Sequence, residues 1–514
     1  MKVELALVSH TNAGKTTLAR TLLGRDVGEV RDAAHVTDLA ESHCLLALED
    51  GTELRLWDTP GFGDSVRLLQ RLRLSGNPIG WLLREAWDRW RDRPFWCSQQ
   101  AVRAVRESAD VVLYLVNAAE DPRDAGYLGP ELQVLRWVGR PVLVLLNQVG
   151  PPRGAAGEQA DVERWQRHLD GLGGVAEVLA LDAFARCWVH ESVLLEAVAR
   201  VLPPSEAAAC GRLAAAWAAR SVARFGESMD VLAGQVAEAA LDREPVRGDA
   251  AGGSSTLQKL LQSVGVERAP EDPAQAAAMA RLAARLDARI VASTDRLIAL
   301  HGLDGSATRV VLERLRSSFD TPERVAEGKA AAWGGVVTGA LAGLKADLAA
   351  GGLTLGAGLL LGGLLGGLAG AGVARGFNRL SGADAPQVWW SDEALDGLVR
   401  SAVLRYLAVA HFGRGRGRWV EGEAPRSWQD EVAAALEAER PALRAAWQRA
   451  REWAAAQAGT AATAAATVAT TAPAGTACAS EPRELLDALR RVLGRASARV
   501  LGKLYPGKLP AGLG

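Results

Sequence analysis

The sequence predicts an α/β domain over residues 1–203 and a mainly α-helical C-terminal half. Up to Pro203-Pro204, short aliphatic runs alternate with helical patterns, as in a mostly parallel sheet covered by helices. The turn pair Asp50-Gly51 separates two such runs, so one hairpin strand joins the sheet antiparallel. After Pro204 the strand-like runs give way to long Ala-, Leu- and Arg-rich stretches at helical spacing.

A chain of 514 residues is too long for a single core. Apolar residues make up 49% and charged residues 23%, an ordinary globular balance, and a net charge of -1 gives no global attraction to nucleic acid. The five cysteines form no CxxC pair, and only Cys187 with His190 approaches metal-ligand spacing, which fits a reducing cytoplasm. The start, MKVELALVSH, reads as a strand entering a loop rather than a cleavable signal. Arg outnumbers Lys by 52 to 7, so each lysine is informative.

Val3 to Val8 is the first expected strand. The segment Ser9-His10-Thr11-Asn12-Ala13-Gly14-Lys15-Thr16 leads from it into a helical pattern, Thr17 to Leu23, closed by Gly24. Such a loop wraps backbone N–H groups around phosphates, and the helix adds the positive end of its dipole. The expected cradle is Ser9, Asn12, Ala13, Gly14, Lys15, Thr16 and Thr17, with Lys15 reaching the β/γ-phosphates and the Thr16 hydroxyl binding Mg²⁺. Ser9 stands where the GxxxxGK[ST] pattern has its first glycine.

Strand-like Cys44 to Glu49 and Glu53 to Trp57 follow, and the second ends in Asp58-Thr59-Pro60-Gly61. Asp58 is expected to hold Mg²⁺ through water, with the Gly61 N–H facing the γ-phosphate. Thr37 lies between the motifs, either completing the metal and γ-phosphate shell or serving as an ordinary loop residue. Lys15, Thr37 and Gly61 form the expected catalytic set, and Thr16, Thr37 and Asp58 the metal set.

Val111 to Val116 and Val142 to Leu146 read as central parallel strands, the latter running into Asn147-Gln148-Val149-Gly150. With GKT and DTPG in this order, residues 1 to about 200 resemble the Era-like P-loop GTPases of the translation-factor-related class. The resemblance implies GTP as ligand, Mg²⁺ as cofactor, and base recognition at Asn147 and Gln148. The family's NKxD motif is broken here, because Gln148 and Gly150 replace its Lys and Asp. Losing that carboxylate removes a charge-assisted pair worth about 1.5–3 kcal/mol, so guanine-over-adenine selection is inherited rather than visible. Asp182, with Ala183, ends the strand-like Val178 to Leu181 and is either a substitute carboxylate or a turn residue.

The residue after DTPG is Phe62, so a water-positioning glutamine is missing and slow intrinsic turnover is expected. In related GTPases an Asn at the place of Asn12 faces a K⁺ ion; here Asn12 either holds K⁺ or satisfies loop backbone.

Residues 62–110 exceed a plain switch II helix, and Trp81 to Trp90 reads as a helix with Leu83, Ala86, Trp87 and Trp90 on one face, reporting to a partner or packed on its own domain. Residues 204–329 form an expected helical domain containing Glu206 to Ala240 and Ala274 to Leu300, with Pro245 to Gly253 as a loop. In residues 330–380, two uncharged runs, Ala330 to Leu344 and Leu348 to Ala374, flank Lys345-Ala346-Asp347. The second run exceeds the roughly 20 residues that span a bilayer. Gly358, Gly362, Gly366 and Gly370 give it a small-residue stripe. It is either a membrane segment or a buried hairpin. Residues 381–453 read as a helical segment whose basic loop His411 to Trp419 either touches phosphate, lipid head groups or another subunit or is only a solvated turn. Residues 454–480 read as an Ala/Thr-rich linker, and residues 481–514 as a basic helix that docks back or touches an anionic surface.

The sequence thus indicates a cytoplasmic GTP-binding switch, at the inner membrane face in one reading, with slow hydrolysis and a helical half contacting lipid or an unknown protein effector. A homodimer is an open possibility. The alternatives are a nucleotide-binding scaffold without turnover and a ribosome- or RNA-associated assembly GTPase; the near-neutral charge weighs against a nucleic-acid partner.

Overall fold

The computed structural model describes residues 1–10, 13–24, 40–84, 92–149, 155–181, 187–246, 273–303, 377–380, 387–412, 426–466, 481–510 and 513. In the first half, chain order is β1 (Lys2–Ser9), α1 (Lys15–Leu23), β2 (Glu41–Ala47), β3 (Glu53–Asp58), α2 (Ser65–Leu72), α3 (Pro78–Arg84), α4 (Arg93–Glu107) and β4 (Val111–Asn117). It continues through α5 (Leu128–Val138), β5 (Val142–Asn147), α6 (Ala155–Leu172), β6 (Glu177–Ala180) and α7 (Trp188–Val201). The six strands run in the order β2-β3-β1-β4-β5-β6. Only the β2–β3 pair is antiparallel; its turn residue Gly51 has φ +77°.

The central strands β1, β4 and β5 are buried on both faces, and side-chain alternation along each strand divides the sheet. Val3, Leu5 and Leu7 of β1 meet α1 and α7 on one side. Ala6 and Val8 meet Phe62, Leu68, Leu72 and the α4–α6 side chains on the other. Three helices fill the long segment before β4. The expected helix at Trp81 starts earlier, at Pro78, whose fixed φ suits a first turn. Its core-facing residues are Ile79 and Leu82 in place of the expected Leu83, which packs only partly against the core. Ala86, Trp87 and Trp90 lie outside the described residues.

The second half contains α8 (Pro204–Leu241), β7 (Glu244–Pro245), α9 (Pro273–Leu300), β8 (Phe377–Leu380), β9 (Gln387–Trp390), α10 (Asp392–Ala410), α11 (Arg426–Ala466) and α12 (Glu481–Leu504). Helix α8 joins the halves as one rod. Ala209, Cys210, Leu213 and Trp217 belong to the first core, whereas Phe225, Met229, Leu232 and Val236 belong to the second. Helix α12 docks back through Leu485, Leu489, Val492, Leu493 and Leu501.

Strands β8 and β9 fall within the stretches 330–380 and 381–453 that read as helical, being too short to break a helical pattern, and two further expectations need correction. The stretch read as a linker from Ala454 is helical to Ala466, because alanine has the lowest helix cost of any residue and α11 simply continues. Within the expected loop at Pro245, Glu244–Pro245 pairs with β9, making a three-stranded antiparallel sheet in the order β7-β9-β8. A two-residue strand has no periodicity to read. Arg281 and Arg285 clamp Glu244, and Arg285 and Arg289 clamp Asp242, fixing that corner on α9.

At the end of α10, His411 is buried, its Nδ1 2.7 Å from the Leu407 carbonyl and its Nε2 2.7 Å from the Tyr505 hydroxyl. Burial lowers its pKa to about 4, against 6.5 for a free imidazole. Between these values the unfolded chain binds a proton that the folded chain refuses, so stability is full above pH 6.5 and is lost as pH falls toward 4. The slope is about 1.4 kcal/mol per pH unit for one such group. His411→Gln should flatten the dependence of unfolding free energy on pH in that window, measured by urea denaturation; an unchanged slope would count against this account.

Candidate nucleotide-binding site

The site forms where β1, β3 and β5 end on the same edge of the sheet. Such C-terminal strand edges are where open α/β sheets bind ligands. Gly14 adopts φ +88° as the cap of α1, and a Cβ there would stand 2.7 Å from Asn147 Nδ2. Only glycine meets both the left-handed turn and the close approach. Asn147, at the end of β5, donates through Nδ2 to the Ala13 carbonyl at 2.8 Å, so it struts the loop from behind. Gln148 follows with φ +59°, a left-handed conformation uncommon outside glycine and asparagine.

Lys15 is buried and donates to the Ser9 hydroxyl at 2.9 Å; that hydroxyl donates in turn to the His10 carbonyl. The side chain at the departed glycine position therefore holds the ammonium group. Burial lowers the Lys15 pKa, opposed by the nearby Asp58 and then Glu131. The Thr16 hydroxyl donates to Asp58 Oδ2 at 2.6 Å, joining the heads of α1 and β3. Asp58 Oδ1 is buried without a hydrogen-bond partner among the described residues. Burial raises the Asp58 pKa despite the Thr16 hydrogen bond and the Lys15 charge.

A hydroxyl beside a carboxyl group with one orphaned oxygen fits Mg²⁺, a hard cation that takes one or two protein oxygens and keeps several waters. Thr16 and Asp58 would hold it. The ion would neutralise charge on the phosphate oxygens.

The loop after β3 is tied to β1. The Thr59 hydroxyl donates to the Leu7 carbonyl at 2.6 Å, and the Phe62 N–H to the Ser9 carbonyl at 2.9 Å, with Gly61 buried between them. The Phe62 ring is fully buried in the core, so it cannot position water. Thr17 is buried in the first turn of α1, and its carbonyl accepts from Thr21 at 2.8 Å. Ser9, Ala13, Gly14, Lys15, Thr16, Asp58 and Asn147 thus meet in one connected group, with Gln148 and Gly61 beside it. Asn12, Thr37, Asp182 and Ala183 lie outside the described residues.

The motif reading missed a brace behind the loop. Glu131 of α5, fully buried, lies with Oε1 2.6 Å from His10 Nδ1, and its Oε2 accepts from the Tyr114 hydroxyl at 2.7 Å. His10 also stacks on Tyr127 at 4.4 Å. In the Cys187 and His190 pair, His190 Nδ1 accepts from the Cys187 N–H at 3.4 Å and caps α7.

A mostly parallel sheet with one antiparallel edge strand, and a glycine-capped loop carrying Lys15 and Thr16 against Asp58, define an N-terminal P-loop GTPase domain. Residues 4–148 match the family described as 50S ribosome-binding GTPase. Residues 174–472, more than half of the chain, match the domain of unknown function DUF3482, and the protein belongs to that family. It is 30% identical over 213 residues to GTPase Der of Myxococcus xanthus (strain DK1622), which covers 40% of this chain and 37% of that relative's length. Among solved structures, Era in complex with MgGDPNP and nucleotides 1506-1542 of 16S ribosomal RNA matches at 19% identity, over 39% of this chain and 57% of that one, with a TM-score of 0.30. The bacterial selenocysteine-specific elongation factor EF-Sec matches at 18% identity, over 35% and 26% of the two chains, with a TM-score of 0.23.

Proposed function

We propose that the protein is a GTP-binding, slowly hydrolysing switch whose helical half contacts a membrane or a protein effector. The observation that carries this is the meeting of Lys15, Thr16 and Asp58 beneath the Gly14 turn. Slow turnover is supported by Phe62, which is locked in the core where a water-orienting glutamine is needed. In this reading Gly61 and Thr37 sense the γ-phosphate, K⁺ at Asn12 supplies part of the missing positive charge, and Asp182 with Ala183 borders the base.

Lipid contact is assigned to residues 330–374. These residues lie outside the described set, and no described helix is long and apolar enough to cross a membrane. The support is the uncharged Leu348 to Ala374 run with its glycines four apart, a poor filler for an aqueous core. Residues 1–203 are the proposed catalytic unit and residues 204–514 the effector unit.

One set of measurements tests the reading: GTP and ATP affinity, hydrolysis in K⁺ and in Na⁺, and flotation with vesicles of the full chain beside a chain lacking residues 330–374. GTP should bind more tightly than ATP, K⁺ should speed turnover, and only the full chain should float. Equal affinities, equal rates, or a full chain that stays with the soluble fraction would each remove the corresponding part. Retained nucleotide affinity in the shortened chain shows that its G domain is folded.

A further inference from the structure

A polar cavity of about 210 Å³ lies in the seam between the two halves, away from the nucleotide site. Its polar walls are Thr21 of α1, Glu191 of α7, Trp217, Arg220 and Arg224 of α8, and His301 just after α9. The space far exceeds the roughly 10–15 Å³ that a single water needs.

The charge in it is one-sided. Arg220 and Arg224 stand one turn apart on α8, and among the described residues neither forms an ion pair. Burial, followed by repulsion from Arg224, lowers the Arg220 pKa. Glu191 is the single carboxylate in the wall, and its Oε2 accepts from Trp217 Nε1 at 2.5 Å. His301 is neutral, its pKa pushed down to about 3 by burial and then by Arg224. It lies 3.4 Å from the Ser228 hydroxyl. The Arg220 guanidinium is 4.2 Å from the centre of the Trp217 ring, which fixes its plane. Among the described residues, two guanidinium forks without an ion pair, one pre-oriented by Trp217, face a polar space whose single wall carboxylate, Glu191, attracts Arg220 but does not match both charges.

We propose that this seam cavity is a binding site for a phosphate group, held by the Arg220 and Arg224 forks. Planar guanidinium matches two phosphate oxygens at once, which an ammonium group cannot do. The site stands on its own side chains and not on the nucleotide reading. Its Thr21 wall belongs to the helix whose opposite end carries Lys15 and Thr16, so an occupant contacts the element that grips the nucleotide.

The test uses the full chain, titrated with inorganic phosphate while GDP and Mg²⁺ are saturating, with the thermal unfolding midpoint as readout. The midpoint should rise saturably in the parent and also in Lys15→Ala, which separates this site from the phosphate loop. In Arg220→Ala/Arg224→Ala the apparent affinity should be at least about tenfold weaker, the loss of more than one charge-assisted contact. Arg220→Lys/Arg224→Lys, which keeps charge but loses the forks, should fall between them. Without phosphate the alanine pair should melt no lower than the parent, since like-charge repulsion is removed, and this reports on folding.

A parent that shows no saturable effect, or an alanine pair that responds equally, overturns the proposal. Vesicles containing phosphoinositide distinguish the source. Arginine-dependent capture means that a lipid headgroup supplies the phosphate; phosphate binding without capture means that a soluble ester does, and either outcome upholds the site.

Discussion

Replacing Lys15 with alanine is expected to lower triphosphate affinity by roughly 10- to 150-fold, the equivalent of about 1.5–3 kcal/mol for a charge-assisted hydrogen bond to phosphate. Hydrolysis should fall at least as far, because the same ammonium faces the charge that develops on the transferred group. Protein stability should not fall with it. The buried ammonium is desolvated, with its pKa lowered, and the Ser9 hydroxyl and the charges of Asp58 and then Glu131 offset only part of that cost. Removing it takes an unfavourable burial out of the folded state while leaving the Thr16–Asp58 hydrogen bond in place. Calorimetric titration with GTP beside urea denaturation separates the two effects. A variant that binds within about twofold of the parent would end the phosphate-loop assignment; one that loses affinity only because it unfolds would show that Lys15 acts through the fold.

What could be read from the sequence follows from how local each requirement is. Gly14-Lys15-Thr16 was legible because a left-handed cap, a buried cation and a hydroxyl must lie consecutively at a helix head. The hairpin at Asp50-Gly51 was legible because its turn demands positive φ. The long helices of the second half were legible by periodicity, α12 in particular from Glu481 to Leu504. Pairings across the chain were not. Glu131 sits in an ordinary helical pattern, and nothing local marks it as the partner of His10, 121 residues away. Likewise β7 acquires its identity only from β9, more than a hundred residues on. Ser9 looked like a defect in the phosphate-loop pattern. The fold turns it into the acceptor for Lys15.

Glu131→Ala is expected to cost about 3 kcal/mol of stability, the lower end of the range for removing one partner of a buried polar pair. The lower end applies because the His10 side chain is 36% exposed whereas Glu131 is fully buried. The alanine leaves the Tyr114 hydroxyl, also buried, without its acceptor, and it opens a void between α5 and β4. Tyr114→Phe removes the same hydrogen bond from the other side, yet it keeps the His10 contact and opens no large void, so about 1 kcal/mol is expected. Glu131→Gln should lie between the two. Its amide still accepts from Tyr114, but its NH₂ must donate to His10 Nδ1, which requires the other imidazole tautomer. The three variants also differ at the phosphate loop. Only Glu131→Ala frees the His10 ring, held otherwise by stacking on Tyr127, and His10 directly follows the Ser9 that grips Lys15. Nucleotide affinity should therefore weaken in Glu131→Ala, while Tyr114→Phe stays near the parent. If all three lose equal stability and bind nucleotide equally well, Glu131 is filling space and the brace has no hold on the loop.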